Sequence, residues 1–391
     1  MTKREENALF MLIRYAMGID KDIPESEKEY IKSVIPVLYK ESKRHDLAHI
    51  VGDALFNNNL ISSDDEYFVK FKKRQIAALY RGSRISQDIK EICNTFEQAK
   101  IPFVILKGSV IRNLYPEKWM RTSSDIDVLV KPEDLRRAIS ALMDECGYSY
   151  VSKYVHHVSL SSKNDVHIEL HHELLEECTA NDANLVLADI WNLVELKKGC
   201  SYSYEMKDEH FYLYHIAHAA KHVINGGCGI KPLLDLWILE NKVEHSREAR
   251  ENLLGIARLA AFEDMCLELS HAWFDGKEIT REEVKLLGSY IITGGVYGTP
   301  LNHLSVQQQI KGGKKGYAKN VLFPPYENMT KIFPILKKHK YLTVPFYFIR
   351  FFLSVCKGTA PKVLKRLKAN HQSPKRVDDA VLLLLEKTEL K

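Results

Sequence analysis

The chain contains 391 residues, of which 45% are hydrophobic and 10% aromatic, enough apolar material for two or three packed domains. This composition excludes a disordered protein. The formal net charge of +5 conceals an uneven distribution: residues 311–391 carry 18 Lys and Arg against 5 Asp and Glu, whereas residues 1–310 carry 38 against 46. The C-terminal region is therefore a separate basic element.

Seven cysteines are scattered along the chain without a Cys-x-x-Cys pair. This pattern indicates neither a disulfide framework nor a zinc ribbon, and it is typical of a protein in a reducing cytoplasm. Residues 1–22 carry a short apolar patch at helical spacing and no small-residue cleavage site. They therefore predict an amphipathic helix and not a signal peptide.

Residues 1–95 are predicted to form a helical region that acts as a lid or a support. Apolar residues recur at intervals of three and four from Ile31 to Ala54 and again from Tyr67 to Phe96. The Ser-Ser-Asp-Asp run at residues 62–65 is a helix-start signal ahead of the second stretch.

Residues 96–200 are predicted to form a mixed core of strands and helices. An apolar strand from Pro102 to Leu106 is followed by Lys107, Gly108 and Ser109. Because Gly108 has no Cβ, the backbone of this turn can approach a phosphate closely. A helix is predicted from Glu133 to Cys146.

Two aspartates lie one residue apart in a second apolar strand, which reads DIDVLV from Asp125 to Val130. Side chains alternate between the two faces of a strand, so Asp125 and Asp127 project from the same side. Two neighbouring carboxylates raise each other's pKa, and a divalent cation usually offsets that repulsion. The strand therefore predicts a metal site beside a phosphate-binding turn.

A third carboxylate follows in the run DVHIELH, from Asp165 to His171. Strict alternation over these residues puts Asp165, His167, Glu169 and His171 on one face. The preceding stretch from Tyr154 to Ser161 and the turn residues 162–164 predict a hairpin beside the Asp125 strand. Glu169 is then the residue expected to complete an acidic triad.

This order of motifs resembles the nucleotidyltransferases of the DNA polymerase β superfamily, which have a Gly-Ser or Gly-Gly turn, then Asp-x-Asp, then an acid on a later strand. Within that group, the chain is most similar to the bacterial uncharacterised nucleotidyltransferase family over roughly residues 95–240. The closer likeness rests on residues 106–108 (LKG), 114–116 (LYP), Arg121, 125–127 (DID), 169–171 (ELH), His218, His222 and 231–235 (KPLLD). The spacing from Ser109 to Asp125 is longer than in many superfamily members.

The resemblance implies an α+β fold, with a small mixed sheet of the polymerase β type flanked by N-terminal and C-terminal helical regions. It also implies transfer of a nucleoside monophosphate from an NTP, with release of pyrophosphate. Two Mg²⁺ (or Mn²⁺) ions would be held roughly 3.5 to 4 Å apart. Asp125, Asp127 and Glu169 are the expected catalytic residues and metal ligands, and Glu169 is alternatively a general base. Replacing Asp127 by Ala is expected to abolish turnover without unfolding the chain, on the view that it is a surface carboxylate.

Other polar residues near these motifs are candidates for binding the nucleotide. The candidates are Lys107, Gly108, Ser109, Arg121, His171, His218, Lys221 and His222. Arg121 either binds a triphosphate through its planar guanidinium or pairs with a local acid. Lys107 either contacts phosphate or marks the end of the strand. His171 and His167 are either ligands or hydrogen-bonding partners that position the carboxylates.

A helix from Phe211 to Val223 carries His215, His218 and His222 on one face. The spacing is compatible with a zinc site, although neither a His-Glu-x-x-His motif nor a neighbouring Cys pair accompanies it. The alternative, which we prefer, is that these histidines line the nucleotide pocket. Lys221 and Asp235 are expected to add polar contacts there, or Asp235 to brace helices.

The predicted domains are residues 1–95, a catalytic core at 96–200, a helical domain completing the pocket at 201–310, and a basic, aromatic-rich region at 311–391. Gly312, Gly313 and Gly316 predict a linker or loop. The apolar run from Tyr341 to Val355 is too short to span a bilayer and contains Pro345 and Arg350. Three interpretations of this run and the basic helix at residues 362–368 are open. We rank a core-packing helix first, a membrane-surface anchor second and a nucleic-acid contact third.

The sequence thus predicts a cytoplasmic, metal-dependent nucleotidyltransferase, with a peripheral membrane location left open as an alternative. Its acceptor is a hydroxyl or phosphate on a small molecule, sugar or peptide; the acidic body disfavours long nucleic acid, which requires clustered positive charge. One alternative is a toxin-like transferase acting on tRNA, which the basic C-terminal region would favour. Another is a non-catalytic nucleotide-binding scaffold that kept the fold.

Overall fold

The protein is described from a computed structural model that covers residues 1–154, 156–174 and 180–390. Cys178 lies outside these residues. The other six cysteines are free thiols.

The N-terminal region is helical, as predicted. Its helices are α1 (Lys3–Ala16), α2 (Glu25–Ser33), α3 (Ile35–Arg44), α4 (Ala48–Asn57) and α5 (Glu66–Gln98). Asp65 caps α5 by accepting a hydrogen bond of 2.7 Å from the backbone N–H of Tyr67, which confirms the helix-start signal. The periodic stretch from Ile31 to Ala54 is broken between α3 and α4, where Asp46 has a positive φ of 53°.

A mixed seven-stranded sheet, counted over the described residues, follows the N-terminal helices. Its strands are β1 (Phe103–Ile105), β2 (Asp125–Val130), β3 (Ser149–Lys153), β4 (His157–Ser161), β5 (His167–His171), β6 (Val194–Leu196) and β7 (Ser203–Met206). They are ordered β3-β4-β5-β2-β1-β7-β6. The predicted α+β class is confirmed, and β4 and β5 form the predicted antiparallel hairpin.

Short helices connect the strands: α6 (Gly108–Ile111), α7 (Leu135–Asp144) and α8 (Ala183–Leu187). One face of the sheet is buried against α5 and α7. There, Ile126 and Val128 of β2 pack in a hydrophobic cluster with Phe96 of α5 and Leu142 of α7. The other face of β2, which carries the aspartates, is left for the site.

Helices return after the sheet, as predicted: α9 (Asp208–Ile224), α10 (Lys231–Lys242), α11 (Arg247–Ala257), α12 (Ala260–Phe274) and α13 (Glu282–Gly294). They share a large hydrophobic cluster with the N-terminal helices. For example, Phe10 of α1 stacks on Trp273 of α12 with ring centroids 4.6 Å apart. One hydrophobic core therefore joins the N-terminal helices to the helices that follow the sheet.

The C-terminal region continues as helices: α14 (Pro300–Ile310), α15 (Gly313–Leu322), α16 (Tyr326–Ile332), α17 (Thr343–Cys356), α18 (Ala360–Gln372) and α19 (Lys375–Lys387). The predicted linker or loop is confirmed at Gly312, which lies in the two-residue turn between α14 and α15 with a positive φ of 79°, but it is wrong for Gly316, which lies inside α15. A Cβ at Gly316 would lie 1.7 Å from the carbonyl oxygen of Lys311. This glycine therefore permits a close helix–turn contact and does not mark a flexible segment.

The first-ranked interpretation of residues 341–355 as a core-packing helix is also wrong. These residues do form a helix, α17, but none of its side chains is buried. By contrast, α19 contributes Val381 and Leu384 to the large core. None of the described helices is long and apolar enough to cross a bilayer.

Candidate functional site

The register of β2 and β5 brings three carboxylates to one face of the sheet. The two strands run parallel, with Asp125 opposite His167 and Asp127 opposite Glu169. Paired residues of adjacent strands project to the same side. Asp165, expected to share this face, instead lies before β5 in a turn with a positive φ of 63° and is not part of the strand.

Asp127 is the centre of this group. Its side chain is only 6% exposed, and its Oδ1 accepts hydrogen bonds from Lys107 Nζ at 3.2 Å and His171 Nε2 at 2.9 Å. The same His171 nitrogen lies 3.4 Å from Glu169 Oε2. Asp127 is therefore buried and paired, and the view of it as a surface carboxylate is corrected.

Burial and neighbouring charges shift the pKa values of Asp125 and Asp127 in opposite directions. Burial and the neighbouring Asp127 raise the pKa of Asp125 to about 6. Burial also opposes ionisation of Asp127, but Lys107 and His171 hold its pKa well below the ordinary value. Although burial disfavours the imidazolium, its hydrogen bonds to Asp127 and Glu169 raise the pKa of His171 to about 9.

The donor set suits a hard divalent cation. Asp127, Glu169 and His171 each offer a ligand atom within 4.8 Å of the other two. Asp125 is outside this tight group but projects from the same face, and the pKa of its carboxyl is raised in part by the other two acids. A divalent cation would relieve this repulsion, and carboxylate oxygens are the ligands that Mg²⁺ and Mn²⁺ prefer. Protonated His171 donates to Asp127, which is the positioning alternative predicted for it.

The turn after β1 lies beside Asp127. Lys107 adopts a positive φ of 47°, which costs free energy for a residue with a side chain. Gly108 lines the neighbouring cavity, whereas Ser109 is buried and is not among the residues that line it. A Cβ at Gly108 would lie 3.5 Å from Arg121 Nη1, an ordinary contact. The packing of the chain itself therefore does not require glycine at this position.

A cavity of about 730 Å³ opens over the aspartates, within the usual size range of ligand sites. Asp125 and Asp127 lie on its wall, whereas Glu169 and His171 are not among the residues that line it. The cavity's basic lining residues are Lys43, Arg44, Arg74, Arg81, Lys107, Arg121 and Lys231. A second cavity of about 910 Å³ lies against α1, α12 and α13, and it contains none of the predicted site residues.

Arg121 is held in a buried ion pair. Its Nε and Nη2 each donate to Asp235 at 2.8 Å, and the hydroxyl of Tyr115 donates to the same carboxylate at 2.7 Å. Burial would raise the pKa of Asp235, but Arg121 more than offsets this and lowers it. Of the two roles left open for Arg121, pairing with an acid is the one present in the structure. Asp235 accordingly braces α10 against the segment before β2.

The α9 histidines line the cavity but do not form a metal group. His215 Nε2 donates to the carbonyl of Pro232 at 2.9 Å, and the rings of His218 and His222 meet edge to face with centroids 4.4 Å apart. Among the described residues, the candidate metal group does not include them. Lys221 is absent from the lining residues of the cavity, so the structure does not bring it to the site.

Several cavity residues were not identified from the sequence. Arg81 of α5 donates to the carbonyls of Ser123 and Ser124 at 2.6 and 2.5 Å, just before β2. Lys231 donates to Asp46 at 2.5 Å, which joins α10 to the turn after α3. Arg81 and Asp46 have no local motif. Lys231 was visible only as the first residue of the KPLLD run.

Comparison with known families gives a match over the middle of the chain. The model of a family described as "Uncharacterised nucleotidyltransferase" matches residues 33–275, which is more than half of the chain and includes the whole sheet and helices α9 to α12. Searches of curated proteins and of solved structures found no match.

Proposed function

The chain belongs to the uncharacterised nucleotidyltransferase family, and on that premise we propose that it transfers a nucleoside monophosphate from an NTP to an acceptor hydroxyl or phosphate. We further propose that its catalytic core is of the polymerase β type. The observation that best supports this is the parallel register of β2 and β5, which sets Asp127 beside Glu169 with Asp125 on the same face. These acids lie next to a basic cavity large enough for a nucleotide.

We propose Asp125, Asp127 and Glu169 as the residues that hold Mg²⁺ or Mn²⁺. Bound there, the metal would neutralise phosphate charge and lower the pKa of the acceptor hydroxyl. Lys107 and His171 fix the orientation of Asp127 through its Oδ1, and His171 also lies near Glu169. Positioned carboxylates are the main contribution of a protein to this type of transfer.

In the proposed reaction the acceptor oxygen attacks the α-phosphorus of the NTP. The bond from that phosphorus to the bridging oxygen breaks, and pyrophosphate leaves with the electron pair. The acceptor proton passes to Glu169 or to solvent. Glu169 is only partly buried, and its hydrogen bond with His171 lowers its pKa, so its carboxylate is ionised but is a weak base that passes the proton on to solvent.

We propose that the triphosphate binds basic residues that line the cavity. Arg74, Arg81 and Lys43 line it in addition to Lys107, and guanidinium groups suit phosphate oxygens. Gly108 allows the backbone of the turn to approach a phosphate. His218 and His222 are proposed to line the nucleoside side of the pocket; Arg121 acts through Asp235 and is a positioning residue.

A small molecule, sugar or peptide is the proposed acceptor class. Residues 1–310, which contain the site, carry 38 Lys and Arg against 46 Asp and Glu, and binding of long nucleic acid usually requires clustered positive charge. We propose a cytoplasmic reaction, because NTPs are available there and the cysteines of the described residues are free thiols.

The test is metal-dependent release of pyrophosphate from each of the four NTPs with a panel of sugar, peptide and small-molecule acceptors. We expect release with one NTP and one acceptor class, and loss to background in Asp125→Asn and in Asp127→Asn. Asp64→Asn, a change of equal charge at an exposed position, should keep full activity. Release that survives both site substitutions would overturn the proposal.

A tRNA end is the second candidate acceptor, which the basic C-terminal region supports. RNA that copurifies with the protein and accepts label from an α-labelled NTP would favour this transferase. NTP binding without pyrophosphate release for any acceptor, RNA included, would instead favour a non-catalytic nucleotide-binding scaffold.

A further inference from the structure

Helix α17 exposes a continuous apolar stripe. The stripe consists of residues spaced by three and four positions along α17 and the turn before it: Tyr341, Val344, Phe348, Phe351, Phe352 and Val355. This spacing puts them on one helical face. Each keeps between 55% and 76% of its surface exposed. Clusters of large apolar side chains are rarely left in water without a function.

The opposite side of α17 is attached to the protein, so the direction of the stripe is fixed. Phe346 packs edge to face on Phe333 with ring centroids 5.0 Å apart, and Tyr347 donates a hydrogen bond of 2.8 Å to the carbonyl of Pro324. Arg350 donates to the carbonyl oxygens of Leu322 and Val321 at 3.2 and 3.3 Å. Its charge therefore points back to α15 and does not interrupt the apolar stripe.

The chain that carries the stripe is rich in basic residues. Residues 331–368 contain ten Lys and Arg and no Asp or Glu. Four of these basic residues, Lys362, Lys365, Arg366 and Lys368, are exposed on α18, which packs beside α17. An apolar stripe bordered by positive charge is complementary, in polarity and in charge, to a surface with an apolar interior and an anionic outer layer.

We propose that the apolar stripe and the basic face of α18 bind the surface of an anionic phospholipid bilayer. A helix of 14 residues is about 21 Å long. It is therefore suited to lie in the interface plane with its apolar face among the acyl chains, while basic side chains contact lipid phosphates and carboxylates. This attachment is separate from the nucleotide site.

Two other occupants fit the stripe less well. Val344 and Val355 cannot stack on bases, whereas a single-stranded nucleic acid is bound by aromatic stacking beside positive charge. A second copy of the chain placed face to face would set the basic residues against each other, because a two-fold interface is self-complementary. An anionic bilayer satisfies both the apolar and the charged part of the surface.

The test is co-sedimentation of the full chain with vesicles of phosphatidylcholine and phosphatidylserine in about a two-to-one ratio. Three proteins are compared with the wild type: a stripe variant (Phe348→Ser, Phe351→Ser, Phe352→Ser), a charge variant (Lys362→Gln, Lys365→Gln, Arg366→Gln, Lys368→Gln) and a control. The control (Tyr150→Ser, Val151→Ser, Leu185→Ser) removes three large apolar residues elsewhere that are each more than half exposed. Circular dichroism checks that each variant is folded.

We expect the wild type and the control to bind these vesicles, and binding to weaken at about 0.5 M salt or without phosphatidylserine. The stripe variant should lose at least about tenfold in partitioning, and each basic residue removed should cost about fivefold. NTP binding should be unchanged in every variant. No vesicle binding by the wild type, or binding retained by both variants, would overturn the proposal. So would a dimer or an RNA complex that the stripe variant loses while vesicle binding persists.

Discussion

At the scale of single residues, the site is a balance of charge around Asp127. Two cations, Lys107 and His171, donate to one oxygen of its buried carboxylate. Asp125 on the same strand is half-buried beside Asp127, and desolvation together with the charge of Asp127 raises its pKa to about 6. The residue that needs a cation most is therefore Asp125, while Asp127 is already ionised by the protein's own partners.

The role of Gly108 can be separated from folding. A methyl group at Gly108 would make only ordinary contacts with Arg121, so Gly108→Ala should leave the free energy of unfolding nearly unchanged. If the turn binds phosphate through its backbone, the same methyl group should weaken NTP affinity by about tenfold or more. Isothermal titration and urea unfolding measure the two effects.

Gly255→Ala is the matched control, since no heavy atom lies within 4 Å of its added Cβ and Gly255 is inside α11. It should stabilise the protein by up to about 1 kcal/mol and leave NTP affinity unchanged. Equal NTP affinity in Gly108→Ala and wild type would remove this turn from the binding site.

The buried pair of Arg121 and Asp235 makes a different prediction. Asp235→Asn leaves the guanidinium without its partner charge in a buried place, and we expect a loss of about 3–5 kcal/mol in the free energy of unfolding. Arg121→Met combined with Asp235→Leu removes both charges and should recover most of this loss. Urea denaturation of the wild type, Asp235→Asn and the double variant measures these free energies of unfolding.

A triphosphate role for Arg121 predicts the reverse pattern. Arg121→Lys would then weaken NTP binding strongly while the free energy of unfolding changed little. The structure predicts instead that destabilisation is the larger effect, because the bidentate contact to Asp235 is lost.

At the scale of elements, alternation along the two acidic strands was readable from the sequence. It correctly assigned Asp125 and Asp127 to one face, because the apolar residues between them had to enter the core. The parallel pairing that sets Asp127 opposite Glu169 was not readable, because register depends on contacts between distant segments. Asp165 was misassigned because alternation alone does not reveal where a turn ends.

The exposed face of helix α17 also could not be predicted from the sequence. Its composition suggested burial, and Pro345 and Arg350 appeared to interrupt its apolar surface. Only the packing against Leu322 and Phe333 reveals that Arg350 is directed inward and that the aromatic face is directed outward. A helix's own periodicity does not specify which of its faces meets a partner.

Two histidines at the junction of α3 and α4 predict a pH dependence of stability. His45 Nε2 donates to the carbonyl of Ile292 and His49 Nε2 to that of Met120, and burial lowers the pKa of each to about 4. In the unfolded chain they take up a proton near pH 6.5. Between these values the unfolded state binds more protons, so stability falls as the pH falls.

Unfolding in urea at about pH 7.5 and pH 5 should therefore differ by about 2 kcal/mol for each histidine. His49→Gln can keep a donor for Met120 but cannot titrate, so its loss over this range should be about 2 kcal/mol smaller. His371→Gln, at an exposed position, should behave as wild type. An identical pH dependence in His49→Gln and wild type would contradict a buried, neutral His49.

At the scale of the whole molecule, one hydrophobic cluster joins elements that the sequence divided among separate regions. It includes Leu9 of α1, Val51 of α4, Tyr212 of α9 and Leu384 of α19. Periodicity located these helices but not their neighbours, since packing between distant helices leaves no local signal. The candidate acids and the glycine turn could be predicted because each lies in a short local pattern; Arg81 and Asp46 reach the cavity only through this packing.

The whole molecule also separates two surfaces by charge. The body with the acidic strands carries an excess of Asp and Glu, whereas residues 311–391 carry 18 Lys and Arg against 5 Asp and Glu. We therefore expect metal cations at the body, the NTP as a metal complex in its basic cavity, and an anionic surface at the C-terminal helices.

The central claim is that the acidic face and the basic cavity together bind a metal–NTP complex. Its most direct test is calorimetric titration of ATP, GTP, CTP and UTP, with Mg²⁺ or Mn²⁺, into wild type and into the double variant Asp125→Asn, Asp127→Asn. The double variant Asp64→Asn, Asp379→Asn changes the charge equally at exposed positions, and it is the control. Metal-dependent binding of an NTP to wild type and control, absent from a folded site variant, is the predicted result. No NTP binding to wild type, or binding indifferent to Asp125 and Asp127, would contradict the claim.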